Sequence, residues 1–170
     1  MTFSHVISNA GPLMVLAKLN RLELLADLYH EVQIPQEIYH EVVTQGAARG
    51  AADALTFRLF WQHRRWPIVE MPADALPAYQ SPVLLHPGEL AVLALAQTSP
   101  RPLVLLDDEV ARTEARRLGL PVRGSLGVLV QAYRQQLLTR AQVTLLIEEV
   151  GLRPDIWIST KLCQQVLAAL

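Results

Sequence analysis

This chain is poor in cysteine, in charge and in long apolar runs, and each shortage removes a class of protein. One cysteine, Cys163, cannot build an internal disulfide framework and suits a reducing compartment. It reads as a small apolar core residue rather than a nucleophile. Charged residues make up 18% of the chain and nearly cancel, with a formal net charge of -1. Whole-molecule steering toward nucleic acid is therefore excluded, and such a partner must be met by a local patch. No apolar run approaches the roughly 18 residues that a membrane span needs, and the start has no basic-apolar-small signal layout. The expectation is a soluble, cytoplasmic chain with no membrane partner. Cysteine pairs and His-rich spacings that would suggest zinc are missing, as are the GxGxxG and GxxxxGK[ST] runs of nucleotide folds. A serine hydrolase elbow is missing too. An aspartyl phosphatase needs a nucleophile two residues from a second Asp after the first strand, and Asn9-Ala10-Gly11 does not supply it.

What remains is apolar: 51% of the 170 residues, enough for one domain over 1–170 with a substantial core. His5 to Asn9 reads as a buried strand feeding a helix, with Ser8 or Asn9 near the cap and Pro12 in the first turn. Pro12 to Leu19 and Leu22 to Tyr29 read as helices. Val32 to Ile34 reads as a strand, and Pro35 opens a helix over Gln36 to Thr44 with Glu37 and Glu41 on one face. Gly46 to Gly50 looks like a small-residue linker. A helix over Ala51 to Arg65 follows, then a strand over Pro67 to Met71 and a loop holding Pro72, Pro77 and Pro82.

The centre of the chain is the run Pro87-Gly88-Glu89 leading an Ala/Leu-rich helix, then Leu103 to Leu106 ending in Asp107-Asp108-Glu109. A third helix spans Glu109 to Leu118, Gly119 to Gly124 makes a short final strand, and Ser125 is expected to cap a helix reaching about Leu138. Helices near Arg140 to Val150 and Ile158 to Leu170 close the chain, with Gly151 to Pro154 between them. Strands that are short unbroken apolar runs, alternating with helices, predict an α/β sheet, mostly parallel and covered on both faces. Ligands of such sheets bind beyond the carboxyl ends of the strands, where Asn9, Asp107 and Asp108 fall.

Carboxylates drawn to one point repel one another unless a hard cation sits among them. Glu41, Glu89, Asp107 and Asp108 offer the oxygen donors that suit magnesium or manganese, which can activate water against a phosphodiester. Each acid also has a purely structural reading. Glu89 in a first helical turn gains about 0.3–1 kcal/mol from the dipole. Asp107 or Asp108 can cap the next helix, and Glu41 can pair with an arginine or stay solvated. The aromatic-basic segment Arg58 to Trp66 can stack on single-stranded RNA, or its Phe57, Phe60 and Trp61 can be core or a dimer contact. The core reading is the simpler one. His86 reads as a loop residue. Arg112, Arg116 and Arg117 can meet phosphates or pair with Glu109 and Glu114.

Taken together, Val6 to Leu13, Ile34-Pro35 with Glu41 six residues on, Pro87-Gly88-Glu89, Leu105 to Asp108 with Ala111-Arg112, and Leu118 to Gly127 resemble a PIN-like domain. More narrowly, they resemble the branch of PIN-like proteins beside the VapC-type toxins. The resemblance covers most of residues 4–138, within a core of about 1–138, and the helices of about 139–170 suit the same branch as a C-terminal extension. It implies a three-layer α/β/α fold and an endoribonuclease for single-stranded RNA that uses Mg2+ or Mn2+. It also implies a homodimer and, often, the toxin half of a toxin–antitoxin pair with an antitoxin protein as partner. Carried over, Glu41, Glu89 and Asp107 fall on the metal-holding acidic positions, with Asp108 beside the last. Ser8 and Ser125 fall where small hydroxyls border the site, and Arg112 on the basic position that meets substrate. The first acidic position is Asn9 here, an oxygen donor without charge, which implies weaker metal binding and weaker hydrolysis. The alternative is a PIN-like module that binds RNA or a protein partner without cutting.

Overall fold

A computed structural model describes residues 3–48, 52–71 and 82–170. The central sheet has the order β1-β4-β5, all parallel, from β1 (His5–Ser8), β4 (Pro102–Leu105) and β5 (Val122–Arg123). Ser8 stands opposite Leu105, and Leu105 opposite Arg123. A second parallel pair joins β2 (Ile34–Pro35) to β3 (Ile68–Val69), and a bridge from Ile7 to Gln33 links that pair to β1. From β1 the chain moves one way to β2 and β3, then returns to β4 and β5 on the other side. The carboxyl ends of β1 and β4 are therefore the point where the winding reverses, and there adjacent connections diverge and leave a crevice.

β1 and β4 are buried on both faces, as their unbroken apolar runs predict: Ile7, Leu103, Val104 and Leu105 have at most 1% of their surface exposed. Such burial removes on the order of 2 kcal/mol of apolar exposure per side chain from water. Helix α6 (Pro87–Thr98) packs across β1, β2 and β4, while α1 (Ala10–Lys18) meets α5 (Ala52–Arg64) and α8 (Ser125–Arg134). Helix α2 (Glu23–Tyr29) also packs on α8, and α7 (Glu109–Arg117) follows β4 and leans on β5. This is the three-layer α/β/α fold expected. Among the described residues no helix is long and apolar enough to cross a membrane.

Four local expectations need correction. The helix predicted over Gln36 to Thr44 is α3 (Gln36–Tyr39) running into a π-helical segment, His40–Gln45, which carries Glu41. The wider turn narrows the angle between neighbours, so Val42 and Val43 both reach the core. The predicted linker begins instead as helix α4 (Gly46–Ala48); Gly46 is a contact glycine, since a Cβ there would lie 2.8 Å from Ala54 Cβ. Gly50 and the loop prolines Pro72 and Pro77 lie outside the described residues. Gly151 and Leu152 belong to α9 (Arg140–Leu152), where Gly151 packs beside buried Cys163 of α10 (Thr160–Ala168). Finally, α8 ends at Arg134 and its cap is Gly124, because the Ser125 side chain is engaged elsewhere.

The aromatic-basic segment resolves in favour of the core. Phe57 and Trp61 are buried, and Trp61 stacks against Phe57 and edge-on to Trp66, at 5.0 and 5.1 Å between ring centres. Arg58 and Arg65 point to solvent, and Arg64 lies over the Phe60 ring at 5.6 Å.

Candidate functional site at the sheet's carboxyl edge

The backbone leaving β1 turns at Asn9, whose N–H donates to Leu105 O of β4 at 3.0 Å. Asn9 holds an extended conformation ahead of α1, with its side chain free of capping duty. It is therefore available to the crevice. Ser8 is fully buried, and its hydroxyl donates to Asn9 O at 2.9 Å, so it stiffens this turn rather than facing a ligand.

Glycine 88 shows what meets Asn9. A Cβ on Gly88 would lie 3.3 Å from Glu41 Oε2 and 3.7 Å from Asn9 Oδ1. The two oxygens, from the π-helical segment and the end of β1, thus flank one point on the first turn of α6. That same turn carries Glu89, which is 7% exposed and whose Oε2 accepts from His86 N at 2.9 Å. His86 caps α6 in return, so the expected loop histidine is an N-cap in a reciprocal box. Burial pushes the Glu89 carboxyl above the usual carboxylate range, opposed by the His86 N–H and reinforced by the charges of Asp108 and Glu41. Glu89 accordingly senses acids on both of its flanks.

Asp107 ends β4 and is held from the far side. Ser125 N donates to its Oδ1 at 2.7 Å and Ser125 Oγ to its Oδ2 at 2.6 Å. Both donors belong to the first residue of α8, so the carboxylate also sits against the positive end of that helix. Burial raises its pKa, and the Ser125 bonds and the Arg112 guanidinium bring it back down. Asp108 has the structural role foreseen for one of the pair: it caps α7, accepting from Ala111 N at 2.9 Å. Its charge nonetheless reaches Glu89.

Arg112 turns back toward the end of β4, donating from Nη1 to Leu106 O at 3.2 Å, and its Nε lies 3.5 Å from Glu109 Oε2 without a hydrogen bond. Arg116 and Arg117 pair along α7 with Glu109 and Glu114, at 3.0 and 2.7 Å. Sequence reasoning passed over the glycines beside these groups. Gly11 would put a Cβ 3.3 Å from Asp107 Oδ2, and Gly124 would put one 2.9 Å from Asp107 Oδ1 and 2.5 Å from Arg112 Nη1. Their signal was position: each stands within two residues of a proposed site residue.

Two separate clefts lie near this edge, with Glu41 in one and Asp107 in the other. One, of about 730 Å³, is lined by Glu37, His40, Glu41, His86 and Gly88; the other, of about 850 Å³, by Asp107, Asp108, Arg112 and Gly124 among others. The acids facing them offer oxygen donors, the rings of His40 and His86 stand beside the first cleft, and Gly88 keeps clear a space that a side chain would fill. In kind they fit a hard divalent cation. In spacing, no three His, Cys, Asp or Glu side chains among the described residues are drawn into a ready-made metal cage. Asn9 Oδ1 and Glu41 Oε2 are the donors that share the space beside Gly88.

Comparison with known proteins gives one family. The profile of a family described as a PIN domain matches residues 5–170. No curated protein and no solved structure matches the chain.

Proposed function

The chain belongs to the PIN-domain family, and on that premise we propose that it is a divalent-metal-dependent endoribonuclease acting on single-stranded RNA. The family points to nuclease-type activity, nucleic-acid binding and use of divalent metals in general. The finer reading rests on one observation: Glu41 Oε2 of the π-helical segment and Asn9 Oδ1 at the end of β1 both lie close to Gly88, next in the chain to buried Glu89, at the point where the sheet's winding reverses.

In this reading Glu41, Glu89 and Asp107 hold Mg2+ or Mn2+, and Asn9 adds an uncharged oxygen. Such an ion, when bound, polarises the phosphodiester and makes water a better nucleophile near neutral pH. The chain's own groups do the rest. Ser125 fixes the Asp107 carboxylate through two hydrogen bonds. Buried Glu89 is kept in place by His86 N. Asp108 anchors α7 so that Arg112 stands beside Gly124, where it can meet a phosphate oxygen. Attack of water on phosphorus in line with the departing 3′ oxygen breaks the P–O3′ bond and leaves a 5′-phosphate. We place the chain beside the VapC-type toxins, as a homodimer whose activity an antitoxin protein would restrain.

A silent RNA- or protein-binding module is the second reading, and Asn9 favours it, because an amide contributes no charge to the metal. The test is incubation of the purified protein with single-stranded RNA, with manganese or with a chelator. Manganese-dependent cleavage that Glu89→Gln abolishes supports the enzyme. Binding without cleavage under both conditions leaves the silent module.

A further inference from the structure

The cleft beside Asp107 continues past the acids. From Asp107 and Asp108 it passes between α8 and α10, over Arg123, Leu126 and Gly127, and runs into a second hollow of about 430 Å³ that ends at Arg134 and Gln165. The two hollows share Arg123, Leu126, Gly127 and Val166, so they form one trough. Asp107, Asp108 and Glu109 stand together at one end, where Glu109 pairs with Arg116 at 3.0 Å and lies 3.5 Å from Arg112. Beyond them the charged side chains of the lining are Arg123, whose Nη1 donates to Tyr29 Oη and Gln131 Oε1, and exposed Arg134.

Trp157, in the turn between α9 and α10, also lines this trough and is 95% exposed, whereas Trp61 and Trp66 are buried at 2% and 7%. A whole indole in water at a groove with cationic walls has no packing role in the fold. An indole face and a cationic wall are the two elements that hold a single strand: rings stack on bases, and arginines neutralise the backbone. A polypeptide occupant would gain little from the arginines beyond the acids unless it were itself acidic.

We infer that this trough is the lane along which single-stranded RNA leaves the acidic edge, with Trp157 as a base-stacking platform and Arg134 as a phosphate contact. This rests on the nucleic-acid reading of the same edge but not on cleavage. Gly127 serves the lane by omission: a Cβ there would lie 2.7 Å from Arg123 Cγ and would crowd that arginine where the two hollows join.

The test is fluorescence polarisation of a labelled, unstructured RNA dodecamer in chelator, where nothing is cut, for the full chain and for Trp157→Ala, Trp157→Phe and Arg134→Ala. Trp157 is solvent-exposed, so its replacements are expected to fold, and equal melting temperatures check this. Trp157→Ala should weaken binding by on the order of ten-fold with an unchanged salt slope, and Trp157→Phe should restore most of it. Arg134→Ala should lower the salt slope by about one. Unchanged binding in Trp157→Ala overturns the lane even if the wild-type chain cleaves RNA with manganese. Trp157-dependent binding without cleavage upholds the lane and sinks the nuclease. No binding by the wild-type chain sinks both.

Discussion

Replacing Ser125 by alanine should reveal how firmly the Asp107 carboxylate is held. Ser125 is fully buried, and its hydroxyl reaches Asp107 Oδ2 at 2.6 Å, a short charge-assisted bond. A hydrogen bond to a charged group contributes about 1.5–3 kcal/mol. At about 2–4 °C per kcal/mol for a chain of this size, Ser125→Ala should lower Tm by about 3–12 °C. The cost should also depend on pH. In the folded state burial already holds the Asp107 pKa above the ordinary carboxyl value, against the Ser125 bonds that lower it. Losing one of those bonds raises it further. The full loss therefore appears at pH 8, where Asp107 is ionised, and shrinks as pH falls through the raised folded-state pKa. Differential scanning calorimetry of both proteins from pH 4 to 8 measures it. A double-mutant cycle with Asp107→Asn isolates the pair, with an expected coupling of about 1 kcal/mol or more. A Tm change under about 1 °C, or the same change at both ends of the pH range, would refute the argument.

Trp61→Ala should cost about 3–5 kcal/mol in urea unfolding, because it empties the centre of the aromatic cluster. Trp61→Phe should cost far less, since it also removes an indole N–H buried without a hydrogen-bond partner; equal costs would contradict this. Gly88→Ala should destabilise by about 1–3 kcal/mol through the 2.6 Å clash with Ile38 Cδ1, and adding Ile38→Val, which removes that methyl, should recover most of the loss in the same assay. Asn9→Asp should raise manganese affinity by adding charge beside Glu41; equal affinities of the two forms by calorimetric titration would count against the proposed metal site.

Burial pattern and punctuation carried the architecture. Val6-Ile7 and Leu103 to Leu106 are runs with no polar face, and only a strand covered on both sides can use them, so a parallel sheet between helix layers followed from composition along the chain. The ends of those runs located Asn9 and Asp107, because a chain that leaves a buried strand must turn polar. What local pattern cannot express is the partner of each side chain. Nothing near Ser125 in sequence distinguished a helix cap from a donor to Asp107, eighteen residues away; both uses call for a small hydroxyl at a helix start. The π-helical turn was equally hidden, since it arises from the demand that two adjacent valines reach one core.

Fold class, the strand ends and the identity of the acids are properties of the sequence itself, because they depend on hydrophobic period and on residue chemistry. Which oxygens face one another, which arginines line a common trough and why Trp157 stands in water were settled only by tertiary packing. Those facts are distances between segments far apart in the chain. The glycines at 88 and 124 make the point in both directions: a missing side chain is visible in any sequence, but what its absence admits is decided by the neighbour that folding brings there.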